Sequence, residues 1–449
     1  MTASPPRPIP LLGRIALHLE LISADQLAEA TREQAREGGG RSLGTILVSK
    51  GFVSEAELQT ILKAREQVAA RQRAQDPAPG PEPRAQSWRA PDADASGDGA
   101  LHGWLRLVVE RGASDLHLRA GRAPRLRIDG RLGALDASPL SARELEVLLD
   151  GLLARDAKAR LEARGELVLA FEEPGLGRFR ASLYRELAGP AAVFRVLPER
   201  PATLQELALP TVLARFTNFR QGLVLIAGPS GSGRSSTLAA MVDLINEERR
   251  EHIVTLEDPV EVRHTSKRGV VTQRDVGRRG DLGRALRAAA RGSADVVAVD
   301  ELEAPGTLGL ALDAAESGRL VLAVVAGRGA VPALARLLAR LPADRPEAAR
   351  ARLAGVLRAV VAQRLLAGAR GPRRVPALEL LPVGPAVAWR VREGKLFEVQ
   401  ASLASGALTG AVALDEALAR LVQDGVVHRD EALRHGDDAR RLGAGRAGA

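Results

Sequence analysis

The segment Gly228-Pro229-Ser230-Gly231-Ser232-Gly233-Arg234-Ser235-Ser236 constrains what this chain can fold into more than any other stretch. Gly228 and Gly233 have the spacing of a phosphate-binding loop, G-x-x-x-x-G-K-[ST], with Ser235 in the hydroxyl position. Glycines let successive main-chain N–H groups turn inward toward phosphate oxygens, and a helix starting there adds its positive end. A glycine-rich junction can also be a bare tight turn. The apolar run 223–227 directly before it and the helix-forming run 236–241 directly after it favour the phosphate reading. Arg234 departs from the pattern, because lysine is a compact ammonium and guanidinium is wide and planar. Positive charge is kept, so phosphate binding is expected. The fit beneath the terminal phosphates is what the wider group puts in question.

The rest of the chain must house that loop. Its 449 residues exceed one typical core, so two or three domains are expected. With 45% hydrophobic and 27% charged residues the balance is that of a globular protein. No run of 18 or more apolar residues and no secretory leader is present, so a cytoplasmic chain that does not itself span a membrane is expected. The absence of cysteine excludes disulfides, thiolate metal sites and cysteine nucleophiles. Net charge is +9, but the basic residues are spread along the chain and aromatics are only 2%, so direct nucleic-acid binding is not expected.

Residues 1–69 hold an internal repeat at an offset of 31, with Ser23 and Ser54 at helix N-cap positions, and read as a small helical module. Residues 70–100 are rich in Pro, Gly and small polar residues and read as a disordered linker. Residues 101–200 mix helical stretches with alternating ones, such as 124–128, 166–171, 178–184 and 192–196, an α+β pattern of half-buried antiparallel strands. Residues 204–435 read as an α/β domain with a helical tail, its continuous apolar strands at 223–227, 252–256, 295–299 and 320–325 indicating a mostly parallel sheet. Residues 436–449 are expected to be a disordered tail.

Acids end two of those strands. Asp300 and Glu301 follow one, and Glu257, Asp258 and Glu261 follow another. Open parallel sheets bind ligands at the carboxyl ends of their strands, so both clusters could converge on the glycine loop. There an acid can hold the shell of a Mg²⁺ ion and a neighbouring Glu can orient an attacking water.

Ordered motifs over some 320 residues resemble the secretion ATPase superfamily that includes PilT and GspE. They are Gly112-Ala-Ser-Asp-Leu-His-Leu118, Arg127-Ile-Asp-Gly130, Pro174-Gly-Leu-Gly-Arg-Phe-Arg180, Thr255-Leu-Glu-Asp-Pro-Val-Glu261, Gln273-Arg-Asp-Val-Gly277, Asp295-Val-Val-Ala-Val-Asp-Glu301, Ala314-Ala-Glu-Ser-Gly318 and Gln363-Arg-Leu-Leu366. PilT is nearer than GspE, since no cysteine-rich segment interrupts the last domain. The resemblance implies a RecA-like P-loop core preceded by a PAS-like α+β subdomain. It implies ATP and Mg²⁺ as ligands, with nucleotide on Gly228 to Ser236, Arg180 and Arg195 approaching the phosphates, and Ser235 and Asp300 at the metal. Glu257 and Glu301 become the expected catalytic acids. It further implies a homo-hexamer, or a mixed ring with a paralogue, that works against an inner-membrane platform protein at the inner-membrane face.

Departures from the family pattern cluster in the same site. Asp300 stands where the family has Gly, Glu303 where it has Arg, and the His box expected near Ala326 has no histidine; none occurs between His264 and His428. Two functions stay open: a motor driven by ATP hydrolysis, and a catalytically impaired paralogue acting as a nucleotide-binding regulatory or adaptor subunit. The amino-terminal repeat resembles the GspE- and MshE-like module, some examples of which bind cyclic di-GMP. Gln34 is retained, but Leu11, Ser42 and Arg65 replace the other ligand-contacting positions, so cyclic di-GMP binding is not expected.

Overall fold

The computed structural model describes residues 16, 21–23, 26–27, 29–31, 33, 43–60, 98–128, 130–279, 282–303, 306–341, 346–371 and 374–438. The chain divides into two units, residues 1–86 and 87–449, treated separately.

In the first unit the described residues close a small core of Ala16, Ile22, Leu27, Ala30, Leu43, Ile46, Leu47 and Val53 around helix α1 (Leu43–Ser49). Both serines at the repeat offset form reciprocal caps. The Ser23 hydroxyl accepts from the Gln26 N–H while Gln26 Oε1 accepts from the Ser23 N–H, and Ser54 and Glu57 repeat the exchange. Each satisfies two N–H groups that a helix start leaves unpaired. Leu11, Gln34, Ser42 and Arg65 lie outside the described residues.

The second unit opens with helix α2 (Asp98–Glu110) and a six-stranded antiparallel sheet in the order β3-β2-β1-β6-β5-β4. Its strands are β1 (Asp115–Arg119), β2 (Arg125–Ile128), β3 (Arg131–Ala134), β4 (Glu166–Glu173), β5 (Gly177–Glu186) and β6 (Gly189–Leu197), with α3 (Ala142–Asp150) and α4 (Arg155–Arg164) between β3 and β4. Leu105, Leu116, Leu118, Phe179 and Phe194 fill the core between this sheet and its helices.

A seven-stranded sheet follows, in the order β13-β12-β7-β11-β10-β8-β9. It comprises β7 (Gly222–Gly228), β8 (His252–Glu257), β9 (Val270–Asp275), β10 (Val296–Val299), β11 (Leu320–Ala326), β12 (Leu357–Ala367) and β13 (Arg374–Pro382). Every neighbouring pair is parallel except β12 with β13 at one edge. The helices, in order, are α5 (Leu213–Thr217), α6 (Arg234–Glu248), α7 (Val276–Arg279), α8 (Leu282–Arg291), α9 (Thr307–Glu316), α10 (Ala330–Leu338), α11 (Pro346–Val356), α12 (Pro385–Arg392), α13 (Leu396–Ala404), α14 (Leu414–Gln423) and α15 (Arg429–His435). All seven residues of β7 are buried, because apolar clusters cover both faces of the sheet. That explains why the central strands read as continuous apolar runs rather than alternating ones. The expected RecA-like, mostly parallel architecture is borne out. Four strands escaped the sequence reading: β3 is too short and exposed, β9 is polar, and β12 and β13 lie past the glycine-loop repeats that guided it. Among the described residues no helix is long and apolar enough to cross a membrane.

Candidate nucleotide site

β7 runs into the glycine loop, and α6 starts at Arg234 with Gly233 as its cap at φ +87°. Only glycine adopts that backbone readily. Gly228 is constrained by space instead: a Cβ there would lie 2.3 Å from Ser232 Oγ and 2.6 Å from the Gln363 carbonyl. The loop is therefore folded tightly against β12, and the first turn of α6 aims its N–H groups at the carboxyl edge of the sheet. That is a ready anion site. Pro229, Ser230 and Gly231 form the outer turn of the loop, exposed, with Gly231 at φ +77°.

Ser235, Ser236, Thr255, Glu257, Glu261 and Asp300 line one cavity of about 50 Å³ at this edge. The Ser235 hydroxyl lies beside the Asp300 carboxylate, whose Oδ1 is buried without a hydrogen-bond partner. Burial holds the Asp300 acid above its ordinary range, the nearby Ser235 hydroxyl works against this, and the Glu261 and Glu301 charges add to it. Glu257 is pushed up to about 7, first by burial and then by the charges of Asp300 and Glu261. Its Oε1 accepts from Thr255 Oγ1 at 2.6 Å and from Gln273 Nε2 at 3.1 Å, bonds that oppose the shift. Ser235 and Asp300 could hold a cation, and a carboxyl titrating near neutrality suits general-base work.

Four expected contributors do not line this cavity. Arg234 Nη1 donates to the Val325 carbonyl at the end of β11, 2.9 Å away. Arg180 Nη1 donates to Glu261 Oε1 at 2.6 Å, so it reaches the cavity wall through that carboxylate. Arg195 pairs with Asp115 across the β1–β6 ladder at 2.7 Å, within the antiparallel sheet. Glu301 is exposed at the end of β10.

The two other departures share one arrangement. Glu303 Oε1 accepts the Ala326 N–H at 2.9 Å, and Oε2 accepts from Arg336 at 2.9 Å and Arg340 at 3.0 Å. These bonds outweigh partial burial and hold its acid below the ordinary range. The residue at the family's arginine position, Glu303, is thus bonded to the main chain of Ala326, where the His box was expected.

Sequence reasoning missed several contributors. Arg178 donates to the Val260 and Glu261 carbonyls at 2.7 and 2.5 Å, tying the antiparallel sheet to the loop after β8. Gln363 bonds the glycine loop itself. Both fall in motifs quoted above, Gln363-Arg-Leu-Leu366 and Pro174 to Arg180, but a motif match does not say which oxygen or N–H group the side chain bonds.

A glycine phosphate loop on an interior strand of a doubly covered, mostly parallel sheet, with acids at the ends of β10 and β8 on the same edge, defines a P-loop nucleotide-binding fold. The sequence profile of the type II/IV secretion system protein family matches residues 98–379, and the chain belongs to that family of pilus and secretion motor ATPases. It is 36% identical over 330 residues to the type IV pilus retraction ATPase PilT of Pseudomonas aeruginosa, an alignment covering 73% of this chain and 95% of that protein. It is 38% identical over 322 residues to YggR of Escherichia coli, an uncharacterised protein, covering 72% of this chain and 98% of YggR. Among solved structures, the pilus retraction motor PilT with bound ADP superposes with a TM-score of 0.68 at 33% identity, over 76% of this chain and 98% of that one.

Proposed function

We propose that this chain is a PilT-like motor subunit that binds Mg-ATP at Gly228 to Ser236 and hydrolyses it to drive a type IV pilus or related secretion machine. The observation that carries the reading is the shared cavity of Ser235, Asp300 and Glu257, the last titrating at about 7. Ser235 and Asp300 hold the cation, Glu257 takes the proton of the attacking water, and Glu301 completes the acidic edge. Arg180 and Arg195 reach the phosphates only after leaving Glu261 and Asp115. The functional body spans an α+β subdomain (101–200) and the RecA-like domain (204–435), preceded by the helical module and a linker. It assembles as a six-membered ring, of one subunit type or mixed with a paralogue, at the cytoplasmic face of the inner membrane against a platform protein. The ADP-bound PilT relative supports the nucleotide assignment.

A second reading is favoured by Arg234 bonding to Val325 and by Glu303 bonding to the main chain of Ala326. In that reading the subunit binds nucleotide without turning it over and acts as a regulatory member of the ring. Phosphate release from the purified protein with Mg-ATP, beside Glu257→Gln and Glu301→Gln, decides between them. Turnover that either substitution abolishes supports the motor. Tight ATP binding with no turnover overturns it in favour of the regulatory subunit.

A further inference from the structure

β12 runs parallel to β7 with a one-residue irregularity at Arg358, after which Ala359, Val361 and Ala362 lie opposite Val224, Ile226 and Ala227. Ala359 and Val361 share the apolar cluster that packs under α6 with Leu238 and Met241. Alternation puts Gln363 next on that face, at the level where β7 ends in Gly228. It is only 3% exposed. An amide buried among aliphatic side chains is costly unless both its ends are bonded.

Both ends are bonded, and to the phosphate loop. Gln363 Nε2 donates to the Ser232 carbonyl at 2.8 Å, and its Oε1 accepts from Thr237 Oγ1 at 2.7 Å, both bonds buried. Its main-chain carbonyl closes the space above Gly228, and its Nε2 lies 2.8 Å from where a Cβ on Gly233 would sit. Because a trans peptide points its C=O and N–H to opposite sides, the bond to the Ser232 carbonyl also fixes the direction of the Gly233 N–H. The Thr237 bond fixes the same amide to the first turns of α6.

We propose that Gln363 is the positioning residue of the phosphate loop, setting its ligand-ready shape from the neighbouring strand before any nucleotide arrives. The proposal rests on the loop being the nucleotide site, and it acts on the phosphate end of the ligand. Gln363→Met keeps the volume and removes both bonds. ADP affinity is expected to fall about tenfold, the effect of leaving one buried carbonyl unpaired. In the ligand-free protein, amide hydrogen exchange over residues 229–236 is expected to speed up while exchange in β10 and β11 is unchanged. Thr237→Val is expected to weaken ADP binding in the same direction, and Thr237→Ser, which keeps the hydroxyl, to restore it.

Unchanged ADP affinity and unchanged loop exchange in both Gln363→Met and Thr237→Val would overturn the assignment. If Gln363→Met does not fold, the Thr237 pair decides alone: equal loop exchange and ADP binding for the Val and Ser variants also overturns it. A parent protein that binds no ADP refutes the nucleotide reading, while exchange over the loop still decides the role of Gln363.

Discussion

The guanidinium of Arg234 donates to the main-chain carbonyl of Val325, bonding the start of α6 to the end of β11. A phosphate loop with lysine at this place points its charge at the bound phosphates. Here one edge of the guanidinium is engaged by protein before a ligand binds, and a phosphate that takes that edge must displace a carbonyl. Arg234→Lys removes the planar group and its bond to β11. Losing a competing hydrogen bond of about 1 kcal/mol corresponds to roughly a fivefold gain in ATP affinity. Calorimetric titration of both proteins with Mg-ATP checks this, and weaker binding by the lysine variant would contradict it.

Glu257 gives a second expectation through its titration. Folded Glu257 holds its proton up to about pH 7, whereas its ordinary value is 4.5. Between these values the native state binds more protons than the unfolded chain, so stability falls as pH rises through the window. The contribution is roughly 3 kcal/mol across the window. Asp300 and Glu379, also raised by burial, tilt the parent in the same direction. Glu257→Gln removes one of these terms. The variant is expected to melt above the parent at pH 8 and to converge with it near pH 5, while losing turnover. Parallel melting curves for the two proteins across this range would refute the burial argument.

How much of this was legible in the sequence depends on the range of the interaction. The strands flanking the loop and the caps at Ser23 and Ser54 are local patterns, and the structure bears them out. The meeting of Ser235 with Asp300 follows from parallel topology, since acids at strand ends must share one edge. The direction of an arginine does not follow. Arg180, Arg195 and Arg234 each had a phosphate as their expected partner, and each finds a protein oxygen whose position depends on the packing of separate elements. Gln363 lies 131 residues from the carbonyl it holds, with the register of β12 as the only link.

Gly228→Ala tests the packing of the loop rather than its charge. A methyl group there would lie 2.3 Å from Ser232 Oγ and 2.6 Å from the Gln363 carbonyl, well inside contact distance. The hydroxyl could rotate away, but the carbonyl belongs to a central ladder. Overpacking of this kind costs about 1–3 kcal/mol and would shift the loop. A lower melting temperature together with lost ADP binding is expected in thermal shift assays. A variant with parent-like ADP affinity would show that the loop is not packed as described.

The last expectation concerns Glu261, which holds Arg180 at 2.6 Å on the wall of the cavity that Ser235, Glu257 and Asp300 share. As the pair stands, the carboxylate neutralises the arginine and adds negative charge beside the place proposed for phosphates. Both effects oppose an anionic ligand. Arg178 holds the main chain of residues 260 and 261 independently, so removing the side-chain charge leaves that loop anchored. Glu261→Gln should therefore release Arg180 toward the ligand and raise ADP affinity, by several-fold on the scale of one partly exposed ion pair of about 1 kcal/mol. It should also lower the titration of Glu257, since one of the charges raising that group is gone. Adding Arg180→Ala should abolish the gain, because the arginine is what the substitution sets free. If Glu261→Gln binds ADP no better than the parent, or gains equally without Arg180, the pair is a structural tie between the two sheets and not a competitor for phosphate.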